Sequence, residues 1–343
     1  MSMSKAVKVK YVTVGGGADI SIQSMTNTDT RDIAATLNQI RELEAAGCDI
    51  IRLAVPDARA AAALREIRKE TSVPLVADIH FDYKLALMSV DAGMDKIRIN
   101  PGNLKKPEHI KAVADACRER GIPIRIGVNG GSLDTETVKR FGGVTPEALA
   151  ASGIEQADTL QGLGFTDVIL SIKASNVRDT VAANRIARAR CDYPLHLGVT
   201  EAGTAYNGII KSAAGIGALL LDGIGDTVRV SLTADPVEEI RAAKALLRAL
   251  GLRREGVEII ACPTCGRCGV DVIGLAGELE KRLADVKKPL TVAVMGCGVN
   301  GPGEARHADI GVAGGAGEFL LFEKGEIIGK CEDPLEELLK RIL

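Results

Sequence analysis

Residues 74–100 read PLVADIHFDYKLALMSVDAGMDKIRIN, and they contain the unit from which the fold is built. A short apolar run from Pro74 gives way to a helical stretch that stops at Gly93, and a second run, DKIRIN from Asp95, follows. A strand, a helix closed by glycine and another strand is the pattern of a βα unit feeding a parallel sheet. The rhythm continues in both directions. Upstream lie ISIQSMT from Ile20 and DIIRLAV from Asp49; downstream lie PIRIGVN from Pro123, DVILSIKAS from Asp167, PLHLGVT from Pro194 and DTVRVSLT from Asp226. A helix is read after each, among them TRDIAATLNQIRELEAAG from Thr30 and DPVEEIRAAKALLRALG from Asp235. Eight strand–helix pairs over about 230 residues match the count and size of an α/β (β/α)8 TIM barrel. A doubly wound sheet does not call for eight units, and no G-x-G-x-x-G follows the first strand.

Beyond Gly251 the rhythm changes. VEIIACPTCGRCGVD opens a new region at Val257. A helix over 274–284, a strand in LTVAVMG, further strands in ADIGVAG and EFLLFEKGEII, and a closing helix in PLEELLKRIL follow. The expected division is a barrel over residues 1–255 and a small α+β domain over 256–343, joined by a short loop near Arg253.

Composition narrows the function. Lys and Arg number 43 against 45 Asp and Glu, Trp is absent and aromatics are 3%, which argues against nucleic acid as partner. The longest apolar run, Ala213 to Leu221, is too short for a membrane span, and MSMSKAVKVK has no signal-peptide core. A cytoplasmic location is expected. Eight cysteines in a reducing compartment are not read as disulfides. Cys48, Cys117 and Cys191 are scattered and read as small buried apolar residues.

Active sites of such barrels form at the C-terminal ends of the strands. Arg52, Arg98, Arg125, Lys173 and Arg229 each interrupt an apolar run on a different strand. Charge in such a run is costly unless paired or near water. Any one of them alone would be read as half of a rim ion pair. Together they exceed the strand-end carboxylates, Asp78 and Glu201, and a multiply charged anion would complete the balance. The same strand ends offer His80, Asn100, Asn129, Ser175, Thr200 and Ser231. His80 is read as a ligand contact and His196 as structural. Gly15–Gly17 and Gly314–Gly315 read as turns, since neither leads into a Walker-type Lys-Ser/Thr.

In the second region Cys262, Cys265 and Cys268 form C-x2-C-x2-C, and Cys297 follows in GCGVNGPGEA with Glu304 seven residues further on. Structural zinc, a redox dithiol and an iron–sulfur cluster are all compatible with thiolates at this spacing. By spacing alone the four ligands are Cys262, Cys265, Cys268 and Cys297. The radical-SAM spacing C-x3-C-x2-C is absent.

The stretches QSMTNTDT from Gln23, KIRINPGN from Lys96, PIRIGVN, SIKAS, PLHLGVTEAG, CPTCGR from Cys262 and GCGVNGPGEA from Gly296 resemble the 4-hydroxy-3-methylbut-2-enyl diphosphate synthase family. The likeness spans Gln23 to Ala305 and its CPTCGR–NGPGE pair is specific. It implies a barrel joined to a [4Fe–4S] domain, with Cys262, Cys265, Cys297 and Glu304 as ligands and Cys268 a bystander. A carboxylate is a harder, weaker iron ligand than a thiolate. The implied substrate is 2-C-methyl-D-erythritol 2,4-cyclodiphosphate. Arg52, Arg98, Arg125, Lys173, Arg229 and Ser231 would hold its diphosphate, with Asn100 and Asn129 beside them. Asp78, His80, Thr200 and Glu201 would meet its carbon skeleton, Glu201 as proton donor. The resemblance also implies a ferredoxin or flavodoxin donor and a homodimer sharing its site between chains. The rival readings are a non-redox phosphate- or pterin-handling barrel with structural zinc, and an electron carrier without substrate.

Overall fold

The computed structural model describes residues 3–100, 104, 106–284, 286–298, 303, 305–315 and 318–343. It divides into two compact units, residues 1–253 and 254–343.

The first unit opens with a hairpin, β1 (Val7–Val9) and β2 (Val12–Val14), that the periodicity reading does not contain. Eight parallel strands follow: β3 (Ser21–Met25), β4 (Ile50–Ala54), β5 (Leu75–Asp78), β6 (Lys96–Ile99), β7 (Ile124–Asn129), β8 (Val168–Lys173), β9 (His196–Leu197) and β10 (Thr227–Val228). The sheet runs in the order β8-β7-β6-β5-β4-β3-β10-β9, and a parallel bridge between Leu170 and Leu195 joins its two ends. This is the expected TIM barrel.

Around it lie α1 (Ile33–Ala45), α2 (Ala58–Lys69), α3 (Tyr83–Asp91), α4 (Pro107–Arg120), α5 (Thr135–Phe141), α6 (Pro146–Gly162), α7 (Val177–Arg190), α8 (Ala205–Leu221) and α9 (Pro236–Ala249). Side-chain caps set several starts. Asp32 accepts from the Ala35 amide, so α1 begins at Ile33 and not at Thr30. Asp57 and Asp235 cap α2 and α9 in the same way.

Strand alternation then sorts the side chains. Ile51, Leu53, Leu75, Ala77, Ile97, Ile124, Ile126, Leu170, Leu197 and Val228 pack outward into the core shared with the helices. Their neighbours point into the lumen. At its bottom Ile50, Val76 and Ile169 meet Val7, Val9 and Val14, so the hairpin plugs the barrel with an apolar cluster of its own. Among the described residues no helix is long and apolar enough to cross a membrane.

The second unit is a five-stranded sheet in the order β11 (Val257–Ala261), β12 (Leu290–Met295), β13 (Ile310–Gly314), β14 (Phe319–Glu323) and β15 (Glu326–Cys331). The first three strands are parallel and the last two antiparallel. EFLLFEKGEII is thus two strands, turned at Lys324 and Gly325 with φ of 50° and 84°. Helix α10 (Val272–Arg282) starts two residues ahead of the expected Gly274 because Asp271 caps it. With α11 (Pro334–Ile342) it buries Val272, Leu279, Leu338 and Ile342 against Val292, Val294 and Val312.

A cationic barrel lumen and a cysteine-bearing strand end

The lumen is polar because of which alternate residues face it. In register across the barrel wall, Arg52 pairs with Val76, Asp78 with Arg98, Arg98 with Arg125, and Asn129 with Lys173. Val76 belongs to the lumenal cluster, so these partners share its inward face. The five expected cations therefore converge on one chamber. Two glycines make room for them. A Cβ at Gly127 would lie 2.8 Å from Arg98 Nε, and one at Gly198 would overlap Lys173 Nζ.

Three of the five are ion-paired, two of them sharing one carboxylate. Arg98 Nη1 lies 3.1 Å from Asp78 Oδ1, and Arg52 Nε lies 3.7 Å from Asp78 Oδ2. Arg229 pairs with Glu239, Nε to Oε2 at 3.2 Å. Glu239 is a site residue that sequence reading missed. It sits in α9, and helical periodicity marks it only as an inward-facing position. Arg125 and Lys173 have no ion pair among the described residues, and Arg125 Nε and Nη1 are buried without a hydrogen-bond partner. Lys96 is a sixth basic side chain in the lumen, fully buried and equally unforeseen.

This crowding sets the electrostatics. Burial alone would raise the Asp78 pKa, but Arg52, a hydrogen bond from His80 and Arg98 outweigh it and hold the carboxyl well below the usual range. Burial pushes Arg52 down to about 10 against the pull of Asp78. Burial, then Arg52 and Arg98, disfavours the charge on Arg125; burial, then Arg125 and Arg229, does so at Lys173. Arginine keeps its proton in proteins even so.

His80 stands at the mouth, exposed, with Nε2 3.5 Å from Asp78 Oδ2 and Nδ1 3.3 Å from Arg98 Nη1. Arg98 donating to Nδ1 leaves the ring proton on Nε2, directed at Asp78. Asn100 is buried beyond the end of β6. Asn129, Ser175, Thr200 and Glu201 line a pocket of about 210 Å3 together with Gly130, Asn176 and Asp179. Glu201 is exposed and has a φ of 53°, a region non-glycine residues seldom adopt. It has no ion pair with a rim arginine among the described residues. Ser231 lies two residues beyond Arg229, half-buried. His196 is not a satisfied core residue: it is fully buried with neither ring nitrogen partnered.

In the second unit, Cys262 and Cys297 follow the C-terminal ends of the adjacent parallel strands β11 and β12. The Gly296 amide donates to Cys262 Sγ at 3.1 Å, which ties the two strand ends together. Cys265 is exposed on the loop between them and α10. Cys268 turns toward its own backbone, donating to the Val270 carbonyl at 3.2 Å, and packs against Gly296. Glu304 lies outside the described residues. Among the described residues no three ligand-type side chains form a ready-made metal cage. The donors at this end are soft cysteine sulfurs at a strand-end turn, a donor type that iron–sulfur clusters and zinc share.

Comparison with known proteins places the chain. A model of the GcpE TIM-barrel domain matches residues 4–244, and one of the GcpE protein C-terminal domain matches 258–343. A 4-hydroxy-3-methylbut-2-en-1-yl diphosphate synthase (flavodoxin) of Caldanaerobacter subterraneus is 58% identical over 342 residues, covering 99% of this chain and 96% of its own. Its namesake in Clostridium perfringens is 56% identical, covering 99% and 98%. Among solved structures, Yersinia pestis DHPS, a dihydropteroate synthase, gives a TM-score of 0.51 at 12% identity, covering 72% of this chain and 100% of that one. That likeness is one of barrel fold alone and lends no support to a pterin-handling function. With both domain models matched and more than half of all positions shared with full-length relatives, the chain belongs to the GcpE family.

Proposed function

We propose that this chain is an oxidoreductase that opens and dehydrates 2-C-methyl-D-erythritol 2,4-cyclodiphosphate to 4-hydroxy-3-methylbut-2-enyl diphosphate, with flavodoxin as electron donor. The relatives' name supports the product and the donor. One observation supports a diphosphate in particular: Arg52, Arg98, Arg125, Lys173 and Arg229 share the lumen with two carboxylates, and Arg125 and Lys173 have no counter-ion among the described residues.

In this reading Arg52, Arg98, Arg125, Lys173 and Arg229 bind the diphosphate, with Ser231, Asn100 and Asn129 supplying neutral hydrogen bonds. Arginine matches phosphate with its planar fork. Asp78 holds Arg52 and Arg98 in place, and His80 reaches from Asp78 toward the carbon skeleton. Thr200 and Glu201 face the same ligand from the 210 Å3 pocket. Glu201 delivers the proton that leaves with the departing hydroxyl as water.

Cys262, Cys265 and Cys297 would hold a [4Fe–4S] cluster with Glu304, and such a group, when bound, supplies electrons singly. The protein works as a cytoplasmic homodimer whose site is shared between chains. The test is an oxygen-free assay of the cluster-loaded protein with the cyclodiphosphate, flavodoxin and a reductant, the product identified by mass. No turnover of the cyclodiphosphate by protein with a full complement of iron and sulfide refutes the assignment.

A further inference from the structure

Lys96 takes no part in the scheme above, yet it is among the largest fully buried side chains in the molecule. It sits one inward position deeper than Arg98 on β6. Its Nζ donates to Gln23 Oε1 on β3 at 3.1 Å, a neutral acceptor. Its register partner on β5 is Val76. The charged groups around it are cations: Arg52 from β4 and Arg125 from β7 act on it directly. Lys173 on β8 and Arg229 on β10 complete the lumen, and His196 on β9 brings two unpartnered ring nitrogens.

The lumen's carboxylates are already engaged. Asp78 serves Arg52 and Arg98; Glu239 serves Arg229 and the Ser24 hydroxyl. Lys96 has no ion pair among the described residues. A charged amine here would be buried beside two guanidiniums with no counter-ion, the costliest arrangement a core offers. Arginine cannot escape that cost by losing a proton, but lysine can. Burial, then Arg125 and Arg52, lowers the Lys96 pKa far from its ordinary value.

We propose that Lys96 is an uncharged amine in the ligand-free barrel and takes up one proton when a diphosphate binds to the arginines nearer the mouth. The proposal rests on the diphosphate reading of the cation ring. Its proton balance is simple: the amine lone pair accepts a proton released by solvent buffer, and one positive charge is added to the lumen as the anion's charges enter. The barrel thus avoids a full set of repelling cations when empty and gains it when occupied. A lysine, not a sixth guanidinium, is what this position requires.

Inorganic pyrophosphate is the probe. Its binding to the cluster-loaded protein is followed by calorimetry without oxygen, at one pH, in buffers of different ionisation heat. The slope of binding heat against buffer heat counts the protons exchanged. The expected slope is larger in the wild type than in Lys96→Met by about one proton per site. Lys96→Gln gives a second comparison if methionine disturbs the fold. Equal slopes overturn the proposal while leaving the cation ring intact. Failure of pyrophosphate to bind overturns the diphosphate reading, and this inference with it. The wild type provides a check without any variant: its affinity for sulfate, whose own charge is constant near neutrality, weakens as pH rises, by up to about tenfold per pH unit for one linked proton. A sulfate affinity that is flat with pH overturns the proposal too.

Discussion

The carboxylate of Glu239 grips the Arg229 guanidinium at two points, Nε to Oε2 at 3.2 Å and Nη2 to Oε1 at 3.3 Å. It also accepts from the Ser24 hydroxyl at 2.8 Å and the Leu232 amide at 3.1 Å. A single side chain of α9 therefore orients a lumenal cation, the end of β3 and the loop after β10. Glu239→Gln keeps the shape but not the charge. It is expected to raise KM about tenfold with little change in kcat, since Arg229 in the proposed function binds rather than reacts. Glu239→Ala leaves Arg229 buried and unpaired and should cost about 3–5 kcal/mol in urea unfolding. An unchanged KM in Glu239→Gln would refute the positioning role.

Glu201 combines a left-handed backbone with an exposed carboxylate beside the pocket. Replacing it by glycine relieves a left-handed penalty of roughly 1–2 kcal/mol against an added chain-entropy cost of roughly 0.5–1 kcal/mol, so a net gain of about 0.5–1 kcal/mol is expected. The same change removes the proposed proton donor and should lower kcat by roughly 10²–10⁴. Glu201→Gln should lower kcat similarly without the gain in stability. Melting curves and steady-state kinetics on both variants decide it; a Glu201→Gln enzyme of normal kcat would rule out the donor role.

At Gly198 an added methyl would overlap Lys173 Nζ and come within 2.8 Å of the Arg229 carbonyl. The lysine's end can swing aside, but the carbonyl cannot. Gly198→Ala is expected to destabilise by about 1–3 kcal/mol. Displacing Lys173 should also lower kcat/KM by about 10²-fold. A variant as active as wild type would show that Lys173 does not need this path.

Asp78 governs the acid limit. Its folded carboxyl titrates well below the usual value, because Arg52, His80 and Arg98 outweigh its burial. A lowered folded pKa means that its stabilisation is complete above the unfolded pKa of about 4 and is lost as pH falls toward the folded value. Melting temperature should therefore decline steeply below about pH 4. Asp78→Asn should flatten that decline and reduce stability at neutral pH by about 3–5 kcal/mol, with Arg52 and Arg98 left unpaired. Parallel melting curves for the two proteins across the acid range would contradict this account.

The Cys268 thiol is committed to the Val270 carbonyl, while Cys262 faces the strand end that leads to Cys297. Cys268→Ala should keep iron and acid-labile sulfide at the wild-type level in protein prepared without oxygen, whereas Cys297→Ser should lose most of both. Loss of half or more of the iron in Cys268→Ala would return Cys268 to the ligand set.

The sequence by itself determined the barrel, because parallel strands sheathed by helices demand apolar residues on their outward face, and that demand is written locally as alternation in runs such as DIIRLAV and DKIRIN. It also determined that Arg52, Arg98, Arg125, Lys173 and Arg229 stand on strands or at their ends, and that cysteines cluster after Val257. The hairpin that plugs the lumen escaped notice because three-residue strands are too short to show a period. Only the tertiary structure decided which cations are ion-paired. Glu239 reaches Ser24 across 215 positions of chain, and Lys96 finds Gln23 across 73. Ion pairing depends on distance in space, and barrel closure brings together residues whose separation along the chain carries no trace of that meeting.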